Sequence, residues 1–163
     1  MKESSVIALF PLHTVLFPGG PLPLRIFETR YTDMVRRCMR EQQPFGVVLI
    51  QDGDEAGEVA STASVGCTAR IADFHTLHDG FLGISCIGDC KFRVQRVWRA
   101  TDGLNMGEVS WLPAEPAMAL PERHVHLAAT VERALEDLSE HYEHVERRFD
   151  DAAWIGVRTG GRA

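Results

Sequence analysis

Lysine is almost absent from this chain. Of the 17 basic residues only Lys2 and Lys91 are lysine, and the rest are arginine. A phosphate-binding P-loop needs a lysine after glycine and before serine or threonine, because that lysine reaches the terminal phosphates. Lys2 precedes Glu3 and Lys91 precedes Phe92, so neither fits and a Walker-type ATPase is excluded. Long hydrophobic runs are missing too. No stretch reaches the ~20 apolar residues of a membrane span. Met1–Ser5 is polar, and the apolar run after it is too short for a secretory signal. A cytoplasmic location is expected, with Cys38, Cys67, Cys86 and Cys90 reduced.

Net positive charge is lacking as well. The formal charge is −6, which repels phosphate backbones unless arginines cluster. Arg36, Arg37 and Arg40 gather near one helix end, and Arg93, Arg96 and Arg99 recur along a strand. Few aromatics lie between them to stack on bases. A solvated face is the plainer reading, and an RNA-binding module stays as the alternative.

Catalytic signatures fail on spacing. No Gly-x-Gly-x-x-Gly fingerprint follows a strand. "GISCIG" approaches a nucleophile elbow at Gly83–Ser85, but Ile87 stands where the last glycine belongs, and the segment runs from strand to strand. A Ser-Lys dyad would have to use Lys91, at a solvent-facing strand position. Cys86 and Cys90, with Cys67, His75 and His78, form a loose metal-ligand set without the paired Cys-x-x-Cys spacing of zinc sites. At apolar strand positions Cys67 and Cys86 behave as small hydrophobes. His141 and His144 lie three apart among Glu140, Glu143 and Glu146, which suits a solvated charged face. No catalytic residue, cofactor or metal ligand is assigned. A hydrolase with an unfamiliar site would need a perturbed cysteine or histidine in a cleft.

The chain does carry clear periodicities. With 163 residues and 45% hydrophobic content, it can bury one core. "VIALFPL" and "PLRIF" predict strands around a "FPGG" turn, and Pro11 ends the first or places it on an edge. Tyr31, Met34, Val35, Cys38 and Met39 recur at the three-and-four spacing of a helix, with Glu28 in its first turn. "PFGVVLI" predicts a buried strand. Gln51–Ser64 is polar and predicts a long loop. "VGCTARIADF", "FLGISCIG" and "CKFRVQRVW" predict strands, the last two joined as a tight hairpin at Gly88-Asp89. Met106–Leu112 predicts another strand, and Pro113, Pro116 and Pro121 a stiff linker. From Glu122 to Phe149 one apolar stripe runs along a long helix, and Asp150 or Asp151 can cap a further one. Strands followed by helices predict an α+β, mainly β domain at 1–115 and a helical segment at 116–163.

"IALFPLHTVLFPGGPLPLRIFETRYTDMVRRCMREQQPFGVVLI" resembles the start of the Lon protease N-terminal domain. Leu9-Phe10-Pro11-Leu12, Val15-Leu16-Phe17-Pro18-Gly19, Leu22-Pro23-Leu24, Ile26-Phe27-Glu28 and Arg30-Tyr31 carry the likeness. "VGCTARIADF" and "DGFLGISCIGDCKFRVQRV" extend it, to cover about residues 6 to 155. The resemblance implies a PUA-like small β-barrel with one inserted helix, followed by a helical bundle. It implies a non-catalytic module that recognises unfolded or damaged protein segments and self-associates. Neither an ATPase nor a protease module fits within this chain. The expected contacts are Val15, Leu16, Phe17 and Pro18, with Arg25, Glu28 and Tyr31 beside them. Relative to the family the bundle looks truncated at Ala163. Its stripe at Val131, Leu135, Leu138, Tyr142 and Val145 is then expected to pack on the barrel or a second chain.

Overall fold

The structure is a computed structural model and describes residues 4–53, 59–116 and 118–139. Chain contacts divide it into Met1–Ala114 and Glu115–Ala163. The first unit holds strands β1 (Ser4–Leu12), β2 (Pro21–Ile26), β3 (Phe45–Gly53), β4 (Val59–Thr76), β5 (Leu82–Arg99) and β6 (Asn105–Trp111), with helix α1 (Thr29–Glu41) between β2 and β3. The second holds helix α2 (Val125–Ser139), entered through a short 3-10 turn at Glu122–His124.

The strand order is β2-β5-β4-β3-β1-β6, and β6 also pairs with β5. That last pairing closes β5, β4, β3, β1 and β6 into a ring, with β2 as a flap on the first half of β5. All pairings are antiparallel except β1 with β3. Pro11 lies inside β1 rather than ending it. The antiparallel register with β6 stops at Leu9↔Asn105, so on that side no ladder needs the missing N–H of Pro11, while on the other side Pro11 stays in register with Val48 of β3.

Successive residues of a strand face opposite sides, and two apolar clusters result. Leu9, Val48, Phe92 and Val109 fill one. Phe10, Val47, Phe45, Ile84, Cys86 and Leu104 face the other, where α1 adds Tyr31, Met34, Val35 and Cys38. The helix buries the face its spacing predicted, while Met39 stays partly exposed. Each fully buried side chain of this size contributes roughly 1.5–3 kcal/mol of transfer free energy. The helix ends where Gln42 takes a left-handed conformation (φ 52°) and its N–H bonds the Cys38 carbonyl. Glu28 occupies the N-cap position instead of the first turn.

Two expectations need correction. Residues 51–64 are not all loop: β3 runs on to Gly53 and β4 starts at Val59. Gly88-Asp89 is not a turn, because β5 continues from Leu82 to Arg99. The turns lie on either side, where the Leu77 N–H bonds the Phe81 carbonyl and the Ala100 N–H bonds the Leu104 carbonyl, each at 2.8 Å. Gly88 answers to a different need. A Cβ there would sit 2.1 Å from the Phe17 carbonyl oxygen, so glycine is required for a passing backbone, not for a reversal. The expected helix continues past α2 into residues that lie outside those described, as does the expected cap at Asp150 or Asp151.

Candidate functional site

The backbone that passes Gly88 is the Pro- and Gly-rich stretch between β1 and β2. The Gly20 N–H bonds the Phe17 carbonyl at 2.9 Å and closes a tight turn. Gly19 supplies the positive φ of 78° that this turn needs. The Gly19 N–H donates to the Gly88 carbonyl, and the Gly88 N–H donates to the Gly20 carbonyl, both at 2.8 Å. Leu16 is buried in the same core cluster as Leu12 and Leu22. The loop is thus pinned by one buried side chain and a reciprocal pair of backbone bonds.

Pinning leaves its apolar neighbours outside. Val15 is 55% exposed and Phe17 65%, with Pro18 exposed beside them. Arg25 lies at the other end of β2. Its guanidinium is 4.8 Å above the Phe81 ring and 2.9 Å from the Asp79 carboxylate. A strand advances about 3.3 Å per residue, so Gly20 and Arg25 are roughly 16 Å apart. Two exposed sites therefore mark the two ends of β2.

Three of the seven expected contact residues have other surroundings. Leu16 is core. Tyr31 is 3% exposed and stacks on Phe10, ring centroids 3.9 Å apart and planes 7° from parallel. The Glu28 carboxylate lies 2.8 Å from Nε of Arg30. That arginine donates from Nη1 to the Gly103 carbonyl at 3.0 Å and covers the Tyr31 ring at 4.7 Å. Glu28, Arg30 and Tyr31 fasten the start of α1 to the turn between β5 and β6. Meanwhile Phe27 (57% exposed) and Phe74 (56%) are prominent on the surface, and sequence reasoning passed over both. Phe27 carried a signal, since it alternates with inward-facing Ile26. Phe74 sits in a polar stretch, and only the strand pairing reveals its neighbours.

The groups weighed for chemistry are dispersed. Ser85 is in mid-strand, paired with Pro23 on one side and Asp73 on the other. Burial pushes the Cys86 thiol up to about 12 and the Cys67 thiol to about 11, and it raises Cys38 as well. Thiols held protonated in this way are poor nucleophiles and poor metal ligands. Among the described residues, no three His, Cys, Asp or Glu side chains converge on a metal-sized position. No described helix is long and apolar enough to cross a membrane. Among the described residues the surface offers apolar contact and two exposed cations over aromatic rings, Arg25 on Phe81 and Arg96 on Trp98.

A barrel with an anchored apolar loop and one packed helix matches a known family profile. The profile is the ATP-dependent protease La (LON) substrate-binding domain, and it matches residues 6–153. The chain belongs to this family. In structure it is similar to a Lon N-terminal domain protein from Xanthomonas campestris, with 43% identity and a TM-score of 0.69 over 80% of this chain and 73% of that one. It shares its fold with the N-terminal domain of a Mycobacterium avium complex Lon protease, at 14% identity and a TM-score of 0.55 over 95% of this chain and 83% of the other. Among curated proteins it resembles cereblon of Danio rerio, 29% identical over 126 residues. That match takes in 71% of this chain but 29% of cereblon, so the chain spans less than a third of that relative. The family profile it matches is that of a substrate-binding domain rather than a catalytic one.

Proposed function

We propose that this chain is a non-catalytic module that holds extended, apolar segments of other proteins, as an adaptor for proteolysis or quality control. The observation that carries this reading is the loop at Val15–Pro18. A family of substrate-binding domains supplies the context, and in this member a core side chain and two backbone bonds hold Val15 and Phe17 out in solvent. Such rigidity lowers the ordering cost of binding. An extended segment of about five residues spans the roughly 16 Å from the loop to Arg25.

Self-association through α2 is a further part of this reading. Val125, Leu127 and Val131 are about half exposed on it. Tyr142 and Val145 lie outside the described residues, as do the side chains of Leu135 and Leu138.

The test is fluorescence anisotropy of a labelled, permanently unfolded polypeptide titrated with the protein at low and high salt. Saturable binding that survives high salt is expected of an apolar surface. A steep loss with salt would point to charge and reopen the RNA alternative. No binding at high micromolar protein would refute general recognition of unfolded chains.

A further inference from the structure

The exposed loop at Val15–Pro18 runs directly into β2, the end strand of the sheet order. What this stretch can offer a bound chain depends on where its N–H groups go. Pro18, Pro21 and Pro23 have none. The Gly19 N–H is taken by the Gly88 carbonyl, and the Gly20 N–H by the Phe17 carbonyl. The Gly88 N–H bonds the Gly20 carbonyl, so Gly20 and Gly88 mark a hydrogen-bonded position of the β2–β5 pair. Such positions alternate along an antiparallel pair. Leu22, Leu24 and Ile26 therefore bond inward to Cys86, Ile84 and Leu82, and the residues facing outward are Pro21, Pro23 and Arg25. From Pro18 to Leu24 every N–H is either missing or turned inward. The first one directed outward belongs to Arg25.

An added strand exchanges bonds in both directions with alternate residues of the edge it joins. At Pro21 and Pro23 this edge has carbonyls to offer and no donors, so a ladder cannot form along it. On the far side of the same sheet β4 shifts register between Ile71 and Asp73, and a bulge of this kind breaks the regular row of bonds that an incoming strand needs. Apolar side chains are what remains for contact. Val15 and Phe17 are more than half exposed, and Pro18 and Pro23 are exposed as well.

We propose that the site holds its clients through side-chain contact and not as an added strand. This rests on the client-binding reading and specifies its mode. The substrate class is then set by apolar side chains, while the client backbone keeps its bonds to water. Segments that contain proline, and so lack N–H groups themselves, are accepted as readily as segments without it.

Anisotropy of short labelled peptides titrated with the full chain tests this. The parent probe is a soluble, extended peptide with leucine and phenylalanine side chains. Its variants carry single N-methyl groups along the backbone, or serine in place of single apolar residues. Each N-methyl group should change Kd by less than about threefold, whereas serine at an anchoring position should weaken binding roughly tenfold. Val15→Ser with Phe17→Ser should weaken all the peptides alike. An N-methyl group that costs about tenfold or more, in a complex still weakened by the Val15 and Phe17 change, would overturn the side-chain mode and leave client binding standing. A complex indifferent to the Val15 and Phe17 change would overturn it too, because the contact then lies elsewhere. Failure of the parent peptide to bind at high micromolar protein would overturn client recognition itself, and this mode with it.

Discussion

Replacing Gly88 with alanine tests how the exposed loop is held. The new Cβ would lie 2.1 Å from the Phe17 carbonyl oxygen, 2.9 Å from its carbonyl carbon and 3.1 Å from Cγ of Leu16. Two of these are backbone atoms, so no rotamer change relieves the contact. Either the loop lifts away or β5 recedes. Lifting breaks the reciprocal bonds of Gly88 with Gly19 and Gly20. Each such bond contributes about 0.5–1.5 kcal/mol, and overpacking costs about 1–3 kcal/mol. Against this, alanine in a strand gains up to about 1 kcal/mol over glycine. The net expectation is a loss of about 2–4 kcal/mol. Urea unfolding should show it as a lower midpoint at an unchanged slope. The same variant should bind the unfolded polypeptide more weakly, because Phe17 loses its fixed position. Gly80→Ala is a suitable control, since φ there is +83° but nothing lies within 4 Å of its Cβ. It should cost about 1 kcal/mol through backbone strain alone and leave binding intact. A Gly88→Ala protein as stable as the parent, with the same affinity, would refute the loop anchor.

Other expectations follow from the same contacts. Val15→Ser with Phe17→Ser should weaken polypeptide binding several-fold and change stability by less than about 0.5 kcal/mol, since both side chains are mostly exposed; anisotropy and urea unfolding read the two effects apart. Tyr31→Ala should destabilise by about 3–5 kcal/mol, because it empties the stack on Phe10. Arg30→Ala should cost about 2 kcal/mol by releasing Glu28 and the Gly103 carbonyl together. In the native state Cys90, the exposed cysteine, should react with a thiol reagent while Cys38, Cys67 and Cys86 resist until unfolding. Burial raises the folded-state pKa of Cys67 and Cys86 above the ordinary thiol value of 9.0. The unfolded chain therefore loses those protons first, so stability is intact below pH 9 and falls as pH rises toward 11 or 12. Cys86→Ala should flatten that alkaline decline in thermal unfolding.

Strong periodicity made several elements legible in the sequence itself. Tyr31, Met34, Val35 and Cys38 mark one helical face, and that face is buried. The apolar run from Phe45 is a strand buried between β1 and β4. Glycine misled at one point for a physical reason. Gly88-Asp89 has the composition of a hairpin turn, but glycine serves both reversal and close approach, and one sequence does not say which. The approaching backbone comes from Phe17, some seventy positions away. A local pattern cannot carry that information.

The exposed surface was legible only in part, and burial of neighbours explains the gap. Val15, Leu16, Phe17 and Pro18 form one apolar run, and nothing in their types separates Leu16 from the others. What separates them is the pair of bonds to Gly88, which fixes the loop so that Leu16 reaches the core and the residues on either side do not. Glu28 and Tyr31 invited a binding role because they stand close to that loop in sequence. They instead meet Arg30, whose ties to Gly103 cross 73 positions of sequence. Proline shows the same dependence on context. Pro11 is buried in β1 where one ladder has ended, whereas Pro21 and Pro23 stand on an outer edge and remove its donors. The stretch from Phe10 to Tyr31 is therefore greasy and turn-rich for separate reasons along its length. It enters the core at Phe10, Leu16 and Tyr31, turns at Phe17–Gly20, and blocks one sheet edge at Pro21 and Pro23.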